Sequence, residues 1–316
     1  MNINKDTKRA EKCEIVAAMP LACADETKAV EFFEQRLWKG TPKCAHCQST
    51  KVYQMKDAKT GERNKRFLWR CRDCKSQFTV RIGTVLEESR LPLRHWVYAF
   101  WRASTSKKGV SAKEIQRQCQ INYESALFLM HRIRFAMQKD VADMPKMTGT
   151  VEVDETYVGG KPRNNYGKNR RGRGTKRTAV LGIVQRDGNV HRRVVVKVNG
   201  KTLKSAIREC VSTQARIMTD EFPAYVGLAN EFKSHDVICH GQREYVRGDV
   251  TTNTAESSFA LIKRGIMGIY HAVSKEHLHR YLAEFDFRWN TRKLEDGERT
   301  VLAIQGAAGK RLAYNA

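Results

Sequence analysis

Three acidic residues occupy positions that suit metal-dependent chemistry, because each lies where a predicted element ends or begins. Asp154 ends the apolar run VEVD, Asp220 ends ARIMTD, and Glu256 lies in NTAE at a predicted helix start. Hard cations such as Mg²⁺ take oxygen ligands, and carboxylates from different elements can hold two such ions about 3.5–4 Å apart for phosphoryl transfer. Lys263 follows Glu256 by seven residues, close to two helical turns, so their side chains share a face. These four residues predict a magnesium-dependent site for phosphodiester chemistry.

The residues around Glu256 also have a purely structural interpretation. Asn253 and Glu256 have the spacing of a helix capping box, in which the Glu256 side chain would bind the Asn253 backbone. Lys263, taken alone, is typical of a solvent-exposed surface lysine. On the residues alone, both interpretations of this stretch remain open.

The segments around the acidic residues predict the elements that must position them. Alternating apolar residues indicate a strand over 150–158, and strands over 178–185 and 190–198 are joined by a turn at Asp187 and Gly188. One face of the first strand carries Thr150, Glu152, Asp154 and Thr156. The remaining elements are predicted as helix 202–211, strand 215–219, helix 222–230, strand 234–239, a helix opening at Glu256 and a last helix over 275–292. Antiparallel strands followed by alternating helices and strands predict a mixed sheet flanked by helices.

Four of the nine cysteines form two Cys-x-x-Cys pairs that are separated by 23 residues. The pairs are Cys44 with Cys47 and Cys71 with Cys74. Two such pairs at this separation predict a closed, tetrahedral and therefore structural Zn²⁺ site. A redox dithiol is the alternative, but no thioredoxin-like pattern surrounds either pair. Short strands predicted at residues 51–53 and 66–71 would complete a zinc ribbon.

Charge is the most informative part of the composition. The 316 residues include 58 Lys and Arg against 34 Asp and Glu, a net charge of +24. Residues 1–40 hold seven basic and seven acidic residues, so the whole excess lies in residues 41–316. This excess predicts a polyanionic partner, with ribosomal or anionic-membrane binding as the alternatives. No apolar run approaches the roughly 18–20 residues of a membrane span, and the paired cysteines favour a reducing compartment.

Two regions are candidates for contact with nucleic acid. Helices predicted over 110–119 and 123–137, with a break between them, resemble a helix-turn-helix whose second helix exposes Tyr123 and Ser125 at its start. The segment 161–177 contains eight basic residues and no acidic one, which suits a phosphate clamp or, alternatively, a solvated insertion. Its basic residues are Lys161, Arg163, Lys168, Arg170, Arg171, Arg173, Lys176 and Arg177. A second zinc site at His235, Cys239 and His240 lacks a fourth ligand at suitable spacing and is the weaker interpretation.

These motifs together resemble the DDE transposases of bacterial insertion sequences, and in particular the ISXO-like sub-group with an N-terminal zinc ribbon. The resembling segments are VDETYVGGK (153–161), Thr219 and Asp220 with Tyr225, His240 with EYV (244–246), NTAE (253–256), LIKRG (261–265), YHAVS (270–274) and YLAEFDFRWNTR (281–292). The resemblance implies an α/β fold with a ribonuclease-H-like mixed-sheet catalytic core, preceded by a zinc ribbon and a helix-turn-helix-like domain. The corresponding domains would be 1–40, 41–90, 91–148, 149–295 and a tail at 296–316.

By this resemblance the protein cleaves the inverted terminal repeats of an insertion sequence and joins the 3′-OH to target DNA. Asp154, Asp220 and Glu256 would hold Mg²⁺ or Mn²⁺, Lys263 would contact the terminal DNA, and Asn253 is an alternative third ligand. The partners would be double-stranded DNA and further copies of the chain, in the cytoplasm with the bacterial nucleoid. A zinc-ribbon DNA-binding regulator without catalysis, or a nuclease that cuts without joining, are the competing functions.

Overall fold

The structure, a computed structural model, describes residues 3–159 and 177–312, with side chains from residue 14 onward. The chain divides into two compact units. Unit 1 comprises Met1–Met137 together with Lys293–Ala316, and unit 2 comprises Gln138–Arg292. Most of the predicted basic clamp, from Lys161 to Lys176, lies outside the described residues.

Unit 1 begins with two helices, α1 (Ile3–Ala24) and α2 (Glu26–Trp38). Asp25 caps α2, because its side chain accepts a hydrogen bond from the Lys28 N–H at 2.8 Å. Such a side chain satisfies one of the helix N–H groups that have no partner within the helix.

A small antiparallel sheet follows in unit 1, formed by β1 (Val52–Gln54), β2 (Trp69–Cys71) and β3 (Gln77–Phe78) in that order. The register pairs Val52 with Cys71 and Trp69 with Phe78. The ribbon predicted from the cysteine pairs is therefore present, although β2 is shorter than the predicted 66–71.

The helices α3 (Leu93–Thr105), α4 (Ala112–Cys119) and α5 (Tyr123–Met137) form the helical part of unit 1. Ser111 caps α4 by accepting from the Glu114 N–H at 3.1 Å. Asn122 Oδ1 accepts from the Ser125 N–H at 2.7 Å and so caps α5. Residues 131–134 are all buried, so the second half of α5 belongs to the core of unit 1. Glu124, in the first turn of α5, is exposed.

Unit 2 contains a mixed sheet of β4 (Thr150–Val158), β5 (Thr178–Gln185), β6 (Val190–Val195), β7 (Arg216–Asp220) and β8 (Ser234–Ile238). Within the described residues the strand order is β6-β5-β4-β7-β8. The pairs β6–β5 and β5–β4 are antiparallel, whereas β4–β7 and β7–β8 are parallel. The predicted mixed α/β fold is thus confirmed, and its strand order is the ribonuclease-H-like arrangement.

Helices cover both faces of this sheet: α6 (Gly200–Cys210) on one, α7 (Asn253–Gly265) and α8 (Leu278–Asn290) on the other. Side chains alternate along β4 and β5, so Val153 and Ile183 pack in the α6 core while Val180 packs with α7 and α8. Because α7 lies directly against β4 and β5, residues at its start are held close to the centre of the sheet.

Other predicted elements in unit 2 also differ from the structure. The helix expected over 222–230 is two 3₁₀ turns, Pro223–Tyr225 and Leu228–Asn230, because Gly227 between them has a φ of +89° that interrupts a helix. The helix α7 opens at Asn253 rather than at Glu256 and continues into a π-helical turn, Ile266–Tyr270. The last predicted helix is the shorter α8.

The residues predicted as a tail include one further helix, α9 (Asp296–Gln305), which belongs to unit 1. Thr300, Ala303 and Ile304 are buried in that unit. The hydroxyl groups of Thr300 and Ser104 of α3 lie 2.9 Å apart. Ala303 and Ile304 thus contribute to the core of unit 1, although they lie in the predicted tail.

Candidate metal centres and catalytic site

The four paired cysteines meet in unit 1. One sulfur from each residue lies within 4.8 Å of the others. The Sγ atoms of Cys44 and Cys74, like those of Cys47 and Cys71, are 3.6 Å apart. Zinc with Zn–S bonds of about 2.3 Å separates its tetrahedral sulfurs by about 3.8 Å, so the donor set fits Zn²⁺. His46 is exposed, and four thiolates already complete a closed structural site.

The strands β4 and β7 bring Asp154 and Asp220 together in unit 2. The parallel register pairs Thr150 with Arg216 and Glu152 with Met218. Asp154 and Asp220 each lie two residues beyond the last of these pairs, so they point to the same side of neighbouring strands. Strands in a sheet are about 4.8 Å apart, which is a separation that one cation can bridge.

Glu155 joins this pair of aspartates, although its position in the alternation of β4 assigns it to the other face. Carboxylate oxygens of Asp154, Glu155 and Asp220 all lie within 4.8 Å of one another. Pairing between β4 and β7 ends at Glu152 and Met218. Beyond Glu152, β4 is therefore not paired with β7, and its side chains need not alternate strictly between the two faces of the sheet on that edge. The sequence signals for Glu155 are its place next to Asp154 and its position within the motif VDETYVGGK.

The carboxyl group of Asp154 has a strongly perturbed acidity. Burial raises its pKa to about 7, and the charges of Asp220 and Glu256 add to the rise. The N–H of Glu155 donates to Asp154 Oδ1 at 2.7 Å and opposes it. A cation among these oxygens would favour the charged form and remove the repulsion.

Glu256 is exposed and lies in the first turn of α7. Its negative charge contributes to the raised pKa of Asp154. The capping box that Asn253 and Glu256 could form is not made, because the Asn253 N–H donates to Thr251 Oγ1 at 3.1 Å. Glu256 is therefore available for another role. Asn253 is exposed at the first position of the helix, and Lys263 is exposed near its end.

A glycine in β5 allows α7 to approach the sheet beside Asp154. Gly182 pairs with Asp154 across the ladder. A Cβ atom at Gly182 would lie 2.6 Å from Cζ of Phe259, one turn along the helix from Glu256. The absence of a side chain at Gly182 thus fixes how closely the helix that carries Glu256 can pack.

His240 follows β8 and completes the surroundings of Asp154. The charge of His240 lowers the pKa of Asp154 and so opposes the effect of burial. The Nε2 atom of His240 lies 3.5 Å from Oγ1 of Thr252, the N-cap of α7. The backbone N–H groups of His240 and Gly241 donate to the carboxylate of Glu221 at 2.8 and 3.0 Å. His240 is thus held at the site by the residue that follows Asp220.

The histidines near β8 do not share a partner. The Nε2 atom of His235 lies 2.9 Å from Thr219 Oγ1, whereas His240 approaches Thr252. In the part of the chain that the structure describes, no cluster of metal-ligand type joins His235, Cys239 and His240.

Tyr225, which the sequence motifs include, lies beneath the acidic cluster. Its side chain is buried in the α6 core. Burial and the charges of Glu155, Asp154 and Asp220 raise the pKa of Tyr225 well above its ordinary value. The Tyr225 hydroxyl therefore stays neutral beside the carboxylates.

The residues predicted to contact DNA are only partly described. Tyr123 and Ser125 are half-buried in the first turn of α5, and Lys113 Nζ lies 4.5 Å from the centre of the Tyr123 ring. Arg177 is half-buried just before β5. None of the described helices is long and apolar enough to cross a membrane.

Two family models match the chain. The ISXO2-like transposase domain matches residues 146–290, and the transposase zinc-ribbon domain matches residues 24–77. A protein of the transposable element ISH50 in Halobacterium salinarum is 29% identical over 280 residues, covering 83% of this chain and 90% of that protein.

Solved structures of Mos1 transposase align with parts of the chain. The Mos1 strand transfer complex has a TM-score of 0.28 and 14% identity, covering 61% of this chain and 69% of that one. The Mos1 paired-end complex with the left transposon end has a TM-score of 0.27 and 14% identity, covering 63% and 75%.

Proposed function

Since the chain belongs to the ISXO2-like transposases through both of its matched domains, we propose that it cleaves and joins DNA as a DDE transposase. The reaction is the cleavage of the ends of an insertion sequence at its inverted terminal repeats, followed by joining of the 3′-OH to target DNA. Two ends must be paired in such a reaction, so the active form is a homodimer or a larger assembly on DNA.

The observation that supports this function best is the position of Asp154 and Asp220 on neighbouring parallel strands, with Glu155 beside them. Three carboxylates with no positive charge among the ligand atoms suit a hard divalent cation. Mg²⁺ or Mn²⁺ bound there would activate the attacking oxygen and stabilise the leaving one. We assign Asp154 as the shared ligand, Asp220 and Glu155 as ligands on the β7 side, and Glu256 as the ligand from α7.

Asn253 is the weaker candidate for the ligand from α7. It is a neutral amide at the first position of the helix, whereas Glu256 acts on Asp154 with a full negative charge. A carboxylate offsets the charge of two cations better than an amide does.

DNA is the proposed partner because the net charge of +24 lies outside the N-terminal residues 1–40. Lys263, on the helix that carries Glu256, would contact the DNA end near the cleaved phosphate. The basic segment 161–177 and the first turn of α5 with Tyr123 and Ser125 would contact the flanking duplex. The zinc ribbon over 41–90 and the helices over 91–148 would then form the part that recognises the terminal repeat.

The experiment that tests this function incubates the zinc-loaded protein with a labelled DNA end from its own element, a target plasmid and Mg²⁺. Joined products support transposition, and Asp154→Asn should abolish them while the variant still binds the end. Cutting without joining would indicate a nuclease on the same fold. Binding with neither product would indicate a DNA-binding regulator.

A further inference from the structure

Glu152 is a fully buried carboxylate on β4, two residues before Asp154. It accepts hydrogen bonds from the Thr254 N–H at 2.7 Å, the Ala255 N–H at 3.0 Å and the Thr254 hydroxyl at 3.0 Å. The Nε of Arg186 donates to it at 2.7 Å. A buried carboxylate that accepts four hydrogen bonds holds the strand and the helix start in a defined relative position.

These contacts replace the cap that α7 does not provide for itself. Thr252 is the N-cap residue, and in the described part of the chain its side chain makes no cap hydrogen bond. The second and third N–H groups of α7, on Thr254 and Ala255, instead donate to Glu152, which lies 102 and 103 residues earlier in the chain. The negative charge also complements the positive end of the helix dipole.

Arg186 connects the same carboxylate to the segment that enters α7. Its Nη2 donates to the Thr251 carbonyl oxygen at 3.2 Å and lies 3.1 Å from the sulfur of Met218 on β7. Its backbone N–H donates to the Thr150 carbonyl oxygen at 3.0 Å. One guanidinium therefore links β4, β7 and the start of α7.

We propose that Glu152, supported by Arg186, is a positioning residue that sets Glu256 against Asp154 and Asp220. This inference rests on the proposed function. Glu152 and Asp154 point to the same face of β4 about 7 Å apart, and Glu256 directly follows the capped residue Ala255. The strand that carries the shared ligand thus also fixes the helix that carries the third one. A rotation or slip of α7 that moved Glu256 would therefore also break these hydrogen bonds.

The test compares Glu152→Gln with Glu284→Gln in the zinc-loaded full-length protein. Glu284 on α8 is equally buried, is paired with Arg288 and accepts from the Tyr270 hydroxyl at 2.7 Å, so it controls for losing a buried charge in the same unit. Mn²⁺ binding is titrated by electron paramagnetic resonance, and thermal unfolding is recorded for each variant. Glu256→Gln and the double variant Glu152→Gln/Glu256→Gln complete the set.

We expect the wild type to bind two Mn²⁺ ions and Glu256→Gln to weaken one of them. Glu152→Gln should weaken the same ion about 10- to 100-fold, the usual effect of losing a residue that orients a ligand. The double variant should bind no more weakly than Glu256→Gln, because both changes act on one ligand. Glu284→Gln should lower the unfolding temperature without changing the titration.

Two results would overturn the positioning role: wild-type Mn²⁺ binding in Glu152→Gln, or equal weakening in Glu284→Gln. If Glu256→Gln itself leaves both ions bound, the proposed third ligand is wrong, and Glu152 then has no ligand to position. The first two outcomes leave the ligand assignment intact, so the two failures are distinguishable.

Discussion

Asp154 and Asp220 stand at the same level of two neighbouring parallel strands, each four residues beyond the paired residues Thr150 and Arg216. Burial of the half-buried Asp154 raises its pKa to about 7, and the charges of Asp220 and Glu256 add to the rise.

Asp154→Asn should stabilise the metal-free protein above neutral pH. A carboxyl group whose pKa rises on folding from its ordinary value near 4 to about 7 favours the folded state at low pH, and this contribution is lost as the pH rises through that window. The gain in the free energy of unfolding at pH 8 should be about 1–3 kcal/mol, allowing for partial solvent screening. Thermal unfolding between pH 4 and 8 without added divalent cation measures it.

Two comparisons check the origin of that effect. Asp249→Asn is the matched control, because Arg216 lowers the pKa of the Asp249 carboxyl and its loss should not bring the same gain. Millimolar Mg²⁺ should stabilise the wild type and have little effect on Asp154→Asn. Equal Mg²⁺ stabilisation of both proteins would contradict a cation site at Asp154.

Glu256→Gln should abolish end cleavage, whereas Asn253→Ala should only weaken it. A metal ligand supports several kcal/mol of transition-state stabilisation, which corresponds to a loss of about 10²–10³-fold in rate. The effect of Asn253→Ala should stay below about tenfold. Single-turnover cleavage of a labelled terminal repeat measures both rates. The reverse pattern would transfer the ligand role to Asn253.

Cys71→Ala should remove zinc and unfold the ribbon of β1, β2 and β3. The Cys71 side chain is fully buried among the four sulfurs, and structural zinc contributes roughly 10–16 kcal/mol to folding in small zinc domains. Metal content by mass spectrometry and limited proteolysis over residues 41–90 measure the change. Cys119→Ala, at a buried cysteine outside the cluster, should keep its zinc. Zinc retained in Cys71→Ala would exclude the four-cysteine site.

Gly182→Ala should destabilise the protein by about 1–3 kcal/mol, the usual effect of overpacking, because the added methyl group would collide with the Phe259 ring. Denaturant unfolding measures the change, and Mn²⁺ binding at Asp154 should weaken with it. Gly188→Ala is the control, because its Cβ would meet only the flexible side chain of Gln185. Adding Phe259→Leu should recover part of the loss. Additive effects of the two changes would show that α7 does not depend on this contact.

Replacing Arg170, Arg171 and Arg173 together with alanine should weaken DNA binding and lower its salt dependence. Each lost phosphate contact reduces the slope of log K against log salt by about 0.9, so the expected change is roughly 2–3. Fluorescence anisotropy with a terminal-repeat duplex at several salt concentrations measures the slope. Arg208→Ala is the control, since Arg208 is exposed but paired with Glu231. An unchanged slope would favour the solvated-insertion interpretation of residues 161–177.

The sequence by itself determined the elements whose signals are local. The strand over 150–158 follows from apolar alternation, and the zinc ligands follow from the spacing within each cysteine pair. Each of these depends on neighbours within a few residues, so one stretch of sequence contains the whole signal. The mixed sheet could also be predicted from the sequence, because the order of predicted strands and helices limits the possible folds.

Tertiary structure alone decided which distant groups meet. Glu152 caps a helix that starts a hundred residues later, and Glu155 joins the two aspartates because β4 extends beyond its pairing with β7. The helix α9 forms in residues that looked like a tail, because its apolar side chains find a core in unit 1. A hydrogen bond between remote residues cannot be predicted from the sequence near either residue, because it forms only when the helix packs at a particular position on the sheet. Sequence therefore supplied the carboxylates, and packing determined which of them share a site.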